Sequence, residues 1–83
     1  MTPRARNLAE IEAIAELYDF TLLDILGKSK TKMLVAVRRK CVVMLRDKGY
    51  STTEIGRIMQ RDHSTIVHAL SMNERDAGKA LAI

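Results

Sequence analysis

Ser51-Thr52-Thr53-Glu54-Ile55-Gly56-Arg57-Ile58-Met59-Gln60-Arg61-Asp62-His63-Ser64-Thr65-Ile66-Val67-His68 is the stretch that decides the fold of this 83-residue chain. It opens on a capping box: Ser51 precedes the first helical residue, and Glu54 stands three positions on. The spacing predicts a helix whose inner face carries Ile55, Ile58 and Met59. Gln60 and Arg61 then form a tight turn, and Asp62 is a good N-cap for a following helix. That helix is expected to bury Ile66, Val67 and Leu70 and to run to about Arg75. Two short helices joined by such a turn have the layout of a helix-turn-helix, whose second helix enters the major groove of a duplex.

The content of the second helix sharpens that reading. At 100° per residue, Ile66 and Leu70 fall on the inner arc, and Ser64, Thr65 and His68 on the outer one. Asp62 and His63 stand at the N-terminal tip. Short polar side chains there donate, accept, or rest a methyl on thymine.

Upstream, helical punctuation marks three more segments. A first helix is expected over about residues 7–18, with Leu8, Ile11, Ile14 or Ala15, and Tyr18 on one face. Thr21-Leu22-Leu23-Asp24 approximates a second capping box and opens a short helix that ends at Gly27 in a left-handed cap. Residues 28–32, Lys-Ser-Lys-Thr-Lys, read as a basic loop. A third helix over about residues 33–48 has Leu34, Val37, Cys41, Met44 and Leu45 at helical spacing and stops at Gly49. The valines in this stretch suit a strand, but its length and the polar Arg38-Arg39-Lys40 break favour a helix. The result is one all-α domain over residues 1–83, a small bundle of about five helices, with residues 1–6 and 77–83 as flexible ends.

Composition bounds the function. Hydrophobic residues make up 47% of the chain and charged residues 29%, enough for one soluble core. The longest apolar runs, residues 33–37 and 41–45, are far too short to cross a membrane. Residues 4 and 6 are arginines with no apolar signal segment behind them, and a lone Cys41 forms no internal disulfide; both point to the cytoplasm. The net charge of +4 is unevenly spread. Residues 1–27 hold two basic and five acidic side chains, residues 28–48 eight basic and one acidic, and residues 49–83 four of each. A polyanion-binding patch requires such a concentration, although a charge run by itself is usually a solvated helix face.

Other chemistries are poorly served. His63 and His68 are five residues apart and do not share a helix face, and Cys41 has no thiol partner, so no metal is expected. His68 reads as a structural ring between helices, and Cys41 as a small buried hydrophobe. Paired carboxylates, a nucleophile–base pair and a phosphate-cradling glycine loop are all missing, so no enzyme and no cofactor are expected.

Arg61-Asp62-His63-Ser64-Thr65-Ile66-Val67-His68-Ala69 closely resembles the signature of the C-terminal DNA-binding domain of the bacterial replication initiator DnaA. The resemblance extends through Tyr18, Leu23-Asp24-Ile25-Leu26-Gly27-Lys28-Ser29, the basic loop, Arg38 and Glu54-Ile55-Gly56, covering about residues 8–72. It implies a bundle related to the Trp repressor that binds double-stranded DNA in replication or transcription control, in the cytoplasm on the nucleoid. Lys30 matches a basic-loop arginine that enters the minor groove, and Arg38 matches an arginine that contacts DNA. Asp62, His63, Ser64 and Thr65 match the residues that read bases or methyls, and Ala69 one that packs close to DNA. Lys28, Lys32, Arg39 and Arg61 complete the cationic set, while Thr52 and Thr53 set the N-terminus of the fourth helix against a phosphate.

The chain departs from that pattern in places. Lysines replace loop arginines, Arg39 replaces a frequent glutamine, and a single Gln60 stands where two glycines are common. The 83 residues hold no G-x-x-x-x-G-K-[ST] loop, so the chain looks like a free-standing reading head. Two other readings stay open. One is a protein-interaction module, decoy or adaptor, using Glu10, Glu12, Glu16 and Asp19 of the acidic first helix. The other is a nucleoid-type binder with little sequence preference.

Overall fold

In a computed structural model, which describes the backbone of residues 2–81 and the side chains of residues 2–72, five helices make up 76% of the chain. They are α1 (Pro3–Leu17), α2 (Leu22–Leu26), α3 (Lys32–Asp47), α4 (Thr52–Met59) and α5 (His63–Leu81). The described residues contain no strand.

Helix α3 packs against all four other helices and forms the axis of the bundle. It buries Leu34, Val37, Cys41, Val42 and Leu45, and Ile11 and Ala15 of α1, Ile25 of α2, Ile55 and Met59 of α4 and Ile66 of α5 close around them. Each of the buried leucines, isoleucines, valines and Met59 contributes about 1.5–3 kcal/mol on leaving water, so packing around α3 largely holds the bundle together. Burial pushes the Cys41 thiol up to about 11, which keeps it protonated and inert at neutral pH.

Local signals set the ends. α1 starts at Pro3, ahead of the expected residue 7: the Thr2 hydroxyl accepts from Ala5 N–H, and proline fits the first helical turn. Both capping boxes form, Thr21 with Asp24 and Ser51 with Glu54. Thr31 caps α3, so Lys32 lies in the helix and the basic loop spans residues 27–31. α1, α3 and α4 each end in a Schellman turn, with Asp19, Gly49 and Gln60 in the left-handed region.

Several expectations need correction. Gly27 has φ −77° and ψ −174°, extended rather than left-handed. Its missing side chain is explained by crowding, since a Cβ there would lie 2.8 Å from the Leu23 carbonyl oxygen. Tyr18 stands past the last turn of α1, partly exposed under Lys40 at 5.9 Å, rather than on the buried face. Val67 is 47% exposed, because one residue beyond buried Ile66 is a 100° rotation away from the core. Asn7, in an apolar register of α1, is buried: its Nδ2 donates to Tyr50 Oη at 2.8 Å and its Oδ1 accepts from Lys48 Nζ at 3.2 Å. Lys48 also pairs with Glu10, so one acidic residue of α1 is used internally.

Candidate nucleic-acid interface

The turn between α4 and α5 is built from backbone. Arg61 N–H donates to the Gly56 carbonyl at 2.8 Å, and Gln60 N–H to that of Arg57 at 3.4 Å. This reversal brings the chain back onto α4 at Gly56, where a Cβ would sit 2.6 Å from the Arg61 carbonyl oxygen. Only glycine permits that approach. At the tip, Asp62 occupies the N-cap position and its carbonyl accepts from Thr65 and Ile66 N–H. Among the described residues its carboxylate takes no capping bond, whereas the hydroxyls of Thr21, Thr31 and Ser51 each accept one. Asp62, His63, Ser64 and Thr65 are all exposed.

Two concavities meet at this tip. The first, about 600 Å³, lies against α4 and the turn and includes Thr53, Arg57, Gln60 and His63. The second is a groove of about 610 Å³ between α5 on one side and the basic loop with α3 on the other. Its walls carry Lys28, Lys30, Arg38, Arg39 and Arg61 and, among the described residues, no carboxylate, and Thr65, His68 and Ala69 face them from α5. Val35, Val42, Met59, Ile66 and Met72 supply an apolar lining. Arg61 and Thr65 line both concavities, so Lys30 and His63 border one continuous surface.

The cations divide into two kinds. Lys28, Lys30 and Lys32 are exposed. The half-buried Arg38 turns inward: Nε donates to the Ile25 carbonyl at 2.7 Å, and Nη2 to those of Asp24 at 2.7 Å and Gly27 at 2.8 Å. Its Nη1 donates to the Ser29 carbonyl. Arg61 reaches the same corner, donating to the carbonyls of Leu26 and Ile25 at 3.3 Å each and to that of Gly27. Burial, and then the adjacent Arg61 charge, hold the Arg38 guanidinium below its usual range, with Asp24 opposing them. An anion in the groove would relieve that crowding.

Most of the expected site residues come together here. Lys32 and Thr52 line neither concavity, and Ser64 is exposed at the tip outside both. Arg57, Gln60 and Val35 are lining residues that sequence reasoning missed, and His68 is exposed on the groove rather than packed between helices. Arg57 was within reach of a helical wheel for α4, because it lies on the face opposite Ile55 and Met59. Among the described residues no group of three or more His, Cys, Asp or Glu side chains is placed to hold a metal, and no helix is long and apolar enough to cross a membrane.

No solved structure matches the chain significantly. The family described as "Bacterial dnaA protein helix-turn-helix" matches residues 11–72, from the middle of α1 through the groove-lining part of α5. With its helix-turn-helix and cationic groove inside that match, the chain belongs to the bacterial DnaA helix-turn-helix family and is a DNA-binding domain.

Proposed function

We propose that the chain binds double-stranded DNA with sequence preference, α5 lying in the major groove and the loop of residues 27–31 reaching the adjacent minor groove. The observation that carries this reading is the groove itself: five cationic side chains gathered on walls that face the polar N-terminal turns of a recognition helix. His63, Ser64 and Thr65 read base edges or methyls, with Asp62 at the tip, and Ala69 allows close approach. Lys30 enters the minor groove, where a narrow A·T-rich segment concentrates negative potential. Lys28, Lys32 and Arg39 meet phosphates, and the α4 N-terminus with Thr52 and Thr53 supplies a further phosphate contact. Arg38 and Arg61 act mainly by shaping the corner that presents the loop.

Selection of bound duplexes from a random pool tests the reading. It is expected to yield a consensus on which His63→Ala or Thr65→Ala costs about 1–3 kcal/mol, with much smaller losses on random DNA. Equal losses on both remove the base-reading role, and failure to shift any duplex at moderate salt overturns the proposal as a whole.

A further inference from the structure

The two parts assigned to DNA come from distant stretches of chain. The loop of residues 27–31 follows α2, which packs against α1 and α3, whereas the recognition helix follows the turn at Gln60 and Arg61. Among the described residues, every hydrogen bond between the helix-turn-helix and the α2 corner comes from one side chain, Arg61. It meets Arg38 there: the Ile25 and Gly27 carbonyls each accept from both guanidinium groups. Five carbonyls, those of Asp24, Ile25, Leu26, Gly27 and Ser29, are gathered by these two side chains. A helix end leaves such carbonyls without intrahelical partners, so the clasp satisfies groups that otherwise turn to water.

We propose that Arg61 is a positioning residue: it locks the spacing between the minor-groove loop and the recognition helix, so that the two grip a duplex as one unit. This rests on the proposed function above. A planar guanidinium holds several carbonyls in a fixed fork, whereas an ammonium is a point charge on a flexible stem. Arg61→Lys therefore keeps the charge that a phosphate would feel and loses the part of the clasp that ties the recognition helix to the α2 corner, leaving the Arg38 bonds in place.

The test is a pair of double-mutant cycles on a duplex from the random-pool selection, with 15N relaxation of the free chain. In the parent protein Lys30→Ala and His63→Ala each weaken binding, Lys30→Ala by about tenfold. With Arg61→Lys in place, the Lys30→Ala effect is expected to shrink below about threefold while that of His63→Ala persists. In the free chain the order parameters of residues 25–27, whose carbonyls Arg61 holds, fall from about 0.85 toward 0.6, with those of α4 unchanged. Additive Lys30 and Arg61 effects, or residues 25–27 equally ordered in Arg61→Lys, overturn the clasp and leave DNA binding intact. If neither Lys30→Ala nor His63→Ala weakens binding in the parent, the functional reading fails and the positioning role goes with it.

Discussion

The corner after α2 and the turn after α4 do similar jobs by opposite means. Each positions a segment that is proposed to meet DNA. The α4 turn is held from within: Ser51 and Glu54 cap its first helix, Arg61 N–H closes on the Gly56 carbonyl five residues back, and Gly56 lets the returning backbone pass. The α2 corner is held from outside, by Arg38 and Arg61 bonding to carbonyls 9 to 36 residues earlier in the chain. The lesson is that similar positive charges serve different ends. The arginines here are mostly spent on backbone, and the exposed lysines remain to meet a ligand.

Breaking the clasp is the strongest way to probe that contrast. Arg38→Ala removes four hydrogen bonds to carbonyls and should destabilise the fold by roughly 2–3 kcal/mol in urea titrations. Lys30→Ala, equally cationic in sequence, should change stability by less than about 0.5 kcal/mol. If the two substitutions cost the same, the inward and outward division is wrong. At the α4 turn, Gly56→Ala forces a Cβ against the Arg61 carbonyl and should cost roughly 2 kcal/mol, because backbone rather than a flexible side chain must move.

The smallest effects test the cap. Ser51→Ala should lower stability by about 1 kcal/mol, a fall of about 5 °C in Tm. Its bonds to Glu54, from backbone N–H and then hydroxyl, hold the Glu54 carboxyl below its ordinary value. A lowered folded pKa contributes stability that is present above the ordinary glutamate value of about 4.3 and is lost as pH falls through the folded value. Urea titrations at pH 5 and pH 3 should therefore show an acid loss that Glu54→Gln removes and Ser51→Ala only reduces, because the backbone N–H of residue 51 still donates to the carboxylate.

The same contrast separates what the sequence reveals from what it hides. Ser51, Glu54, Thr21 and Asp24 act on neighbours three residues away, so spacing alone exposes both capping boxes. The core of α3 is legible for the same reason, since Leu34, Val37, Cys41 and Leu45 repeat at helical period. Thr2-Pro3 also carries a readable start signal, one outweighed by an apolar pattern that begins only at Leu8. The Arg38 and Arg61 directions were not legible, because no local rule says which carbonyls a long side chain reaches once distant elements pack. His68 and Val67 were misjudged for a related reason: a position beside a core residue on a helix is settled by what packs there, and in α5 that side borders an open groove or solvent.

The most direct test of the account is the salt dependence of duplex binding for the parent chain and for Lys28→Ala/Lys30→Ala. If the exposed lysines of the groove wall meet phosphates, log K against log salt should flatten by about 0.9 for each phosphate that is no longer neutralised, a change of roughly 1–2 in slope. An unchanged slope, with affinity equal to that of the parent, would contradict the claim that DNA lies in this groove.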